Sequence, residues 1–584
     1  MLKLLRYLKK YWYFAILAPL FMIVEVGMDM LLTMYMSKMI NYGVQTGNMD
    51  KIISYGLMML LIVFVGVIGG ILSGVFTNLA GFNFSNDLRK DVFKKIMSFS
   101  ESQTDYFQTG SLVTRVTNDI TQIQNMISMC LRGLVRALSF FVMGIFFTLQ
   151  ISSQFGIVLL VILPIEIILL LIFIKLVFPI FRIIQSKLDR VNTVVLENTN
   201  GARVVKAFSK EEYEYNRFKV ANDDYTKTNL YVSKISSLIN PLLTLIVNAG
   251  QIVLYYIGGK KIIQFYNKFT GVETPTILIG DITAAISYIA MICMSIIMLG
   301  MMFTNLAKAF ASADRINEIL DTNPDQEFGD LNLDDLHSHG IVEFKDVSFK
   351  YPSGKRNVLD NLNFKINQGE TIAIVGATGS GKSTLVNLLA RFYDVTAGKI
   401  LIDDHKISEF KKKDLHNIVA ICLQKAEMFN MTIAENISLG RPNSTSDEIV
   451  EASIIAQAHD FITTKELGYD EMVSEGGNSL SGGQKQRINI ARAIIKKPEI
   501  LIFDDSTSAL DLITEAKLYQ SLKEKLNSVT KIVVAQRIAT ARNADKIMVL
   551  DDGKINDFGT HDELIKRCPI YKDIYESQLK KEVM

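Results

Sequence analysis

Long runs without a charged residue alternate with charged segments in the first half of the chain. Residues 52–86, 137–165, 235–259 and 282–307 contain no Asp, Glu, Lys or Arg. Each run exceeds the roughly 20 residues with which a helix crosses about 30 Å of hydrocarbon. No comparable run follows residue 310. The pattern predicts a membrane-spanning first half and a second half outside the bilayer.

Six spans are predicted from these runs and from an apolar stretch near the N-terminus. The first six residues followed by that stretch could form a signal peptide, but Glu25 and Asp29 within it favour a retained helix. The predicted spans are Trp12–Met36, Ile52–Phe82, Gly133–Thr148, Phe155–Phe178, Ile235–Gly258 and Asp281–Ala307.

The distribution of Lys and Arg predicts the orientation of these spans. Segments 1–10, 87–136 and 175–234 contain 22 basic residues, against five on the opposite side. This excess predicts a multi-pass protein of the cell membrane whose N- and C-termini are cytoplasmic. Apolar residues also recur every three or four positions between the spans, which predicts cytoplasmic helical extensions. These extensions are Asp87–Ser98, Leu112–Met126, Arg182–Val195 and Glu211–Tyr231. Turns near Ser100–Thr109 and Asn198–Arg203 are expected to join the long helices at their far ends.

The character of the chain changes at a polar segment containing Pro and Gly. We predict a transmembrane domain over 1–320, a linker over 321–340 and a second domain over 341–584. In the second domain, strands alternate with helical patterns, which predicts an α/β fold with a mainly parallel sheet. The predicted strands are Val342–Phe349, Glu370–Val375 and Ile500–Phe503, and the helices are Ser383–Leu389, Lys485–Ile495 and Glu515–Leu526.

Composition excludes several other classes of protein. Charged residues make up 21% of the 584 residues and the net charge is +2, which argues against a nucleic-acid-binding surface over the whole molecule. Four cysteines in a chain of this length form no disulfide framework and have no metal-binding spacing.

A glycine-rich segment in the second domain predicts a phosphate-binding loop. Gly376–Ser383 fits G-x-x-x-x-G-K-[ST], and it lies between a predicted strand and a predicted helix. Backbone N–H groups of such a loop converge on phosphate oxygens, while Lys382 reaches the β and γ phosphates and Ser383 binds Mg²⁺. The candidate ATP-binding residues here are Gly376, Thr378, Gly379, Ser380, Gly381, Lys382, Ser383 and Thr384.

Two further segments accompany this loop. Ile500–Asp504 is an apolar strand ending in a carboxylate, as expected for an Mg²⁺-associated aspartate. Leu480–Arg487 is a second glycine-rich turn opening a helix, and it could hold the γ phosphate of a nucleotide on another subunit. A plain helix cap provided by Ser481 is the alternative.

Together these motifs resemble those of the ATP-binding cassette (ABC) transporters along essentially the whole chain. Leu480–Gln484 resembles the family's signature motif, in which Ser481, Gly482, Gly483 and Gln484 contact the partner's ATP. The resemblance implies that Tyr351 stacks on adenine, that Gln424 lies near Mg²⁺ beside Ser383 and Asp504, and that Glu475 and Asp511 belong to coupling motifs. It also implies a half-transporter of the type IV exporter class, with six transmembrane helices, long cytoplasmic extensions and a P-loop ATPase domain, working as a dimer.

Two positions depart from the family's pattern. Asp505 stands where the family has the glutamate that polarises water, and Gln536 replaces the switch histidine. Asp505 is one methylene shorter than glutamate, and a misplacement of about 1 Å can cost on the order of 100-fold in rate. Gln536 can donate a hydrogen bond but cannot become an imidazolium.

The departures resemble the catalytically degenerate half of a heterodimeric bacterial multidrug exporter. Its intact signature would complete the hydrolytic site on a second half-transporter chain. Two alternatives stay open: a homodimeric lipid or peptide flippase in which Asp505 hydrolyses ATP, and a membrane subunit that senses ATP without pumping.

Three acids in the spans are candidate substrate contacts. Glu25 and Asp29 lie four positions apart in the first span, and Glu166 lies in the fourth. Intramembrane acids usually face a cavity, which would attract small lipophilic cations. The alternative is that they lie near headgroups or bond to a neighbouring helix.

Overall fold

The computed structural model describes residues 1–268, 277–332, 339–352 and 354–583, which form two compact units. The first unit contains Met1–Met97 and Gly110–Thr322. The second contains Ser98–Thr109 and the chain from Asn323 onward, so it includes a segment that the sequence assigned to the transmembrane domain. Part of the predicted linker, residues 333–338, lies outside the described residues.

Helices account for nearly all of the first unit. Six of the described segments are long and apolar enough to cross a membrane, which confirms the predicted number of spans: Trp12–Val44, Met49–Ile96, Thr109–Ile151, Ser153–Val177, Glu211–Gln264 and Ile279–Asp321. The α-helices through this part of the chain are α1 (Arg6–Lys9), α2 (Trp12–Met39), α3 (Met49–Ile96), α4 (Glu101–Phe107), α5 (Thr109–Thr114), α6 (Ile120–Ser128), α7 (Val135–Ile151), α8 (Ser153–Asn200), α9 (Ala202–Ala207), α10 (Glu211–Lys268) and α11 (Ile279–Asp321). Wider π-helical turns occur at Ile40–Val44, Arg115–Asp119 and Met129–Leu134.

A buried ionic cluster joins the third and sixth spans beyond their apolar parts. The carboxylate of Asp119 is fully buried and accepts hydrogen bonds from Ser312 Oγ at 2.8 Å and from Arg315 Nε at 2.7 Å. Arg115 donates to Glu318 Oε2 at 2.8 Å. Since a buried charge without partners is strongly unfavourable, these contacts stabilise one arrangement of the two helices.

The long connections end in short helices, not in the simple turns predicted near Ser100–Thr109 and Asn198–Arg203. Ser100 caps α4 and forms a reciprocal pair with Gln103, whose side chain accepts from the Ser100 N–H. The second connection contains α9. The correction has a local cause, because a Ser followed three residues later by Gln is a capping box that starts a new helix.

The second unit contains two sheets. A six-stranded sheet has the order β10-β9-β3-β8-β7-β6, in which only the β9–β10 pair is antiparallel. A four-stranded antiparallel sheet has the order β2-β1-β4-β5. Val342–Phe349, which we expected in a mainly parallel sheet, is β1 of this second sheet. The strands are β1 (Val342–Phe349), β2 (Leu359–Ile366), β3 (Thr371–Val375), β4 (Ala397–Ile402), β5 (His405–Lys406), β6 (Val419–Cys422), β7 (Ile500–Asp504), β8 (Thr530–Val534), β9 (Lys546–Asp551) and β10 (Lys554–Gly559).

The six-stranded sheet separates two hydrophobic clusters. Successive side chains of a strand point to opposite faces, so Ile372 and Ile374 join one cluster while Ala373 and Val375 join the other. Both faces are covered, as expected for a parallel sheet. The α-helices of this part are α12 (Lys382–Leu389), α13 (Lys412–Ile418), α14 (Ile433–Ser438), α15 (Ser446–Ile455), α16 (His459–Thr463), α17 (Gly482–Ile494), α18 (Leu512–Lys525), α19 (Ile538–Ala541), α20 (His561–Arg567) and α21 (Pro569–Val583).

Candidate functional site: a nucleotide cavity at the ends of the parallel strands

The predicted phosphate loop joins the end of β3 to the start of α12. Gly379 and Gly381 have φ angles of 85° and 101°, which glycine adopts without strain. A Cβ on Gly376 would lie 2.1 Å from the carbonyl oxygen of Leu550, so no larger residue fits there. The loop therefore brings its backbone N–H groups and the first turn of α12 to one place, as anion binding requires.

This loop borders a cavity of about 530 Å³. Among the predicted residues, Ser380 and Asp504 are nearly buried and lie behind the lining. Ile574 and Gln578 of α21 also line the cavity, and neither was predicted from the sequence to belong to the site. The predicted residues in the lining are Gly376, Thr378, Gly379, Gly381, Lys382, Ser383, Thr384, Gln424, Asp505 and Gln536.

Lys382 is held by the loop itself. Its Nζ donates to the carbonyl oxygens of Gly376 at 2.9 Å and Ala377 at 2.7 Å. Burial lowers the pKa of this ammonium group, and the nearby carboxylates Asp505 and Asp504 oppose that shift. The positive charge lies at the mouth of the loop, where a β or γ phosphate would meet it.

Ser383 and Asp504 form the second polar pair of the cavity. Ser383 Oγ donates to Asp504 Oδ1 at 2.8 Å. Burial raises the pKa of Asp504, the negative charge of Asp505 adds to that increase, and the Ser383 hydrogen bond opposes it. A hydroxyl and a carboxylate are hard oxygen ligands of the kind that bind Mg²⁺ together with phosphate oxygens and water, so these residues fit the ion.

Two amides converge on the carboxylate of Asp505. Gln424 Nε2 donates to Asp505 Oδ2 at 3.1 Å, and Gln536 Nε2 makes a short hydrogen bond to the same oxygen. Burial raises the pKa of Asp505, and the Gln424 hydrogen bond is the largest opposing influence. Asp505 has a φ of 50°, in the left-handed region. Its carboxylate is therefore held by two amides from the segments that follow β6 and β8, the strands on either side of β7.

A buried glutamate ties the segment around Gln536 to the segment after β7. Glu515 of α18 is 5% exposed, and its Oε1 accepts from Thr507 Oγ1 at 2.8 Å and from Thr540 Oγ1 at 2.7 Å. Arg537 Nη1 lies 3.4 Å from Glu515 Oε2. These contacts of Glu515 were not predictable from the sequence, because a glutamate in an amphipathic helix pattern is normally assigned to the solvated face.

Comparisons with known proteins agree with this geometry. The model of the ABC transporter transmembrane region matches residues 15–297, and the ABC transporter model matches residues 359–508. The Bacillus subtilis ABC transporter ATP-binding protein YfiB is 37% identical over 100% of this chain and 99% of its own length. The chain belongs to the ABC transporter family.

Two further similarities define the type of transporter. A protein of Mycobacterium bovis named as a fatty acid ABC transporter ATP-binding/permease protein is 35% identical over 83% of this chain and 75% of its own. The structure of a bacterial Atm1-family ABC exporter with ATP bound matches with a TM-score of 0.78, at 25% identity, over 98% of this chain and 99% of the other. The chain is thus an ATP-driven ABC exporter half-transporter in which a membrane domain precedes the ATPase domain.

The signature segment forms the N-terminus of α17 and does not line the cavity of its own chain. Ser481 Oγ accepts from the Gln484 N–H at 3.3 Å, and Gln484 Oε1 accepts from the Ser481 N–H at 3.0 Å. Gly482 is exposed, and a Cβ built on it meets no atom within 4 Å. This helix end is therefore capped and also accessible, so both interpretations of the motif fit its geometry.

The three remaining residues singled out by the resemblance to ABC transporters lie in three separate places. Tyr351 lies beside the cavity without lining it, its hydroxyl 3.1 Å from Thr384 Oγ1 and its ring edge-on to Tyr393 at 5.2 Å. Asp511 caps α18, and the hydrogen bond from the Thr514 N–H lowers its pKa. The backbone of Glu475 lies in a short 3₁₀ turn before α17.

In the first unit, arginines lie beside two of the acids predicted to contact substrate. Glu25 and Asp29 line a cavity of about 620 Å³ together with Arg132. Arg136 Nη2 lies 3.7 Å from Glu25 Oε1, so the charge of Glu25 has a counter-ion. Glu166 is fully buried in α8 and does not line this cavity. From the sequence, Arg132 and Arg136 entered only the count of basic residues in segment 87–136.

Proposed function

We propose that this chain is the ATP-retaining half of a heterodimeric exporter of lipophilic or amphipathic compounds. The observation that carries the proposal is the environment of Asp505. Its Oδ2 accepts from both Gln424 and Gln536, in the position where the family has a glutamate facing a histidine. A general base needs a lone pair directed at the water it activates, and two donors hold one of the two oxygens of this shortened carboxylate away from that use.

Binding and hydrolysis make different demands on the site. Lys382, Ser383 and Asp504 provide the charge and the oxygen ligands with which a nucleotide and Mg²⁺ are held. We infer that ATP stays bound here while the partner's site turns over. The accessible signature turn at Ser481–Gln484 supports the second part of this proposal, in which it completes the hydrolytic site of the partner chain.

The excess of Lys and Arg on one side supports cytoplasmic N- and C-termini. For the substrate, Glu25, Asp29 and Glu166 remain candidate contacts. Because Arg136 compensates Glu25, a simple attraction of lipophilic cations is less favoured than an amphipathic molecule bearing its own charges.

Purification of the chain with and without its partner tests the proposal. Alone, the chain should bind Mg²⁺-ATP and hydrolyse it far below about 10 s⁻¹, a typical enzyme value. Lys382→Ala should remove nucleotide from this site, whereas Asp505→Glu should change the turnover of the complete dimer only modestly. Turnover of roughly 1–10 s⁻¹ by the chain alone would contradict the proposal.

A homodimeric lipid exporter is the second candidate. The name of the Mycobacterium bovis relative, a fatty acid transporter, favours it. Here Asp505 would serve as the base despite its short side chain. Purification from native membranes distinguishes the two, since a heterodimer should contain a second half-transporter with Glu and His at these positions. A homodimer should instead hydrolyse ATP faster when a fatty acid or lipid is added.

A further inference from the structure

The C-terminal helix α21 packs against the rest of the second unit, the one that contains the nucleotide cavity. Tyr571 is fully buried, and its hydroxyl lies 2.7 Å from Nδ1 of His561 in the preceding helix. The ring of His561 also contacts Tyr575, with centroids 5.5 Å apart. Ile574 packs against one of the two hydrophobic clusters of the sheet. The beginning of α21 is thus anchored, which fixes the direction in which its next turn points.

On that next turn, Gln578 binds the backbone on both sides of Arg537. Its Oε1 accepts from the N–H of Ile538 at 2.8 Å, and its Nε2 donates to the carbonyl oxygen of Gln536 at 2.8 Å. Both contacts require an amide, the side-chain group that presents a donor and an acceptor together at this distance. A helix that merely covered the sheet would need neither.

The segment held by Gln578 carries one of the two side chains that donate to Asp505. Gln536 donates from its own amide to Asp505 Oδ2, while its carbonyl accepts from Gln578. Gln536 and Gln578 both line the nucleotide cavity beside Lys382. A change at Gln578 would therefore be transmitted through one peptide unit to the Gln536 amide and its hydrogen bond with Asp505.

We propose that Gln578 is a positioning residue, through which the C-terminal helix holds Gln536 in place and makes the site selective for ATP over ADP. The basis is that Gln536 shares the cavity with Lys382, the residue expected to reach the β and γ phosphates, so a shift of Gln536 should affect ATP more than ADP. A purely structural role of α21 would instead affect both nucleotides alike. The inference concerns nucleotide binding by this chain and holds whether the partner is the same chain or a different one.

The test compares three variants of the full-length chain. Gln578→Leu keeps the approximate shape and removes both hydrogen bonds, and Gln578→Glu keeps the acceptor but sets a carboxylate against the Gln536 carbonyl. Glu576→Gln, at an exposed position of the same helix, is the matched control. Affinities for ADP and for a non-hydrolysable ATP analogue are measured with Mg²⁺, and hydrogen exchange is followed in the peptide spanning 536–541.

Loss of the two hydrogen bonds should weaken binding of the ATP analogue about 5- to 30-fold. Binding of ADP should change by no more than about twofold, the range of an ordinary surface substitution. Exchange at 536–541 should accelerate in the Leu and Glu variants and stay unchanged in Glu576→Gln. Equal losses for both nucleotides would show a structural role only, and unchanged exchange or unchanged ATP affinity in Gln578→Leu would overturn the proposal.

Discussion

Replacing Tyr393 by Phe should loosen helix α4 from the nucleotide-binding unit. The Tyr393 hydroxyl donates to Asp105 Oδ2 at 2.6 Å, and this hydrogen bond holds α4 to the same unit as the nucleotide cavity. The chain on either side of α4 leads directly into α3 and α5. Because the chain connects α4 directly to α3 and α5, any movement of α4 also acts on these two helices of the first unit.

The structure sets the size of the expected effect. A hydrogen bond to a charged group contributes about 1.5–3 kcal/mol. Asp105 is exposed, so water can replace the lost hydroxyl, and we expect a loss of about 1 kcal/mol, or roughly fivefold in the docking equilibrium of α4. Phe keeps the ring contact with Tyr351, so the substitution tests the hydroxyl alone. A second contact, from Gln103 Nε2 to the Asn323 carbonyl at 2.7 Å, should keep α4 partly docked.

Hydrogen exchange of the α4 amides in the full-length protein measures this local equilibrium. Tyr393→Phe and Asp105→Ala should each speed exchange about fivefold, and the double variant should add little, because both single changes remove the same bond. Tyr106→Phe, at an exposed tyrosine of α4, is the control. If the two single effects were simply additive, the hydrogen bond would not be what holds α4, and the reasoning would be refuted.

Three further outcomes are expected. Gly482→Leu should block close approach to the exposed end of α17, since a Cβ at Gly482 meets no atom of its own chain within 4 Å. It should lower ATP hydrolysis by the complete dimer on the order of 100-fold, while this chain still binds ATP in a filter assay, and unchanged hydrolysis would contradict the composite site. Asp119→Ala should weaken the packing of the third span against the sixth by about 1–3 kcal/mol, less than for a fully buried pair because Arg315 is half exposed. Hydrogen exchange around Arg315 should therefore be faster in Asp119→Ala and unchanged in Asn118→Ala, a substitution at an exposed position. Because the pKa of Asp504 is raised, protons should displace Mg²⁺ in a titration at a higher pH than they would from an ordinary aspartate. A raised pKa in the folded state also means that protonation of Asp504 stabilises the fold, so intrinsic fluorescence should show no unfolding as Mg²⁺ is lost.

The sequence predicted the parts of the fold that local patterns determine. Six apolar stretches predicted six spans, and Val342–Phe349 matches a strand residue for residue. Its partners were not predictable, because strand pairing between β1 and β4 depends on contacts that are distant in the sequence. The sequence predicts a turn where the structure has the short helix α4, although Ser100 and Gln103 have the spacing of a capping box.

For the site, the motif residues were predictable and their supports were not. Lys382 and Ser383 follow from a spacing that phosphate chemistry imposes. Glu515 and Gln578 are ordinary polar residues of helices, and their contacts exist only after α18 and α21 have packed beside the segment around Gln536. Such residues carry no local signal. Their function depends on tertiary packing, and only the folded arrangement reveals it.

These supports suggest why retention of ATP and slow hydrolysis would occur in one site. Glu515 holds Thr540 on one side of the segment that carries Gln536, and Gln578 holds its backbone on the other. The Gln536 amide is thereby directed at Asp505 Oδ2, which Gln424 also binds. A cluster of polar groups already joined by hydrogen bonds favours binding, because its groups need little reorganisation. The same two hydrogen bonds engage one oxygen of the carboxylate that would act as general base, so under the proposed function stronger pairing at Asp505 should increase retention and decrease turnover together.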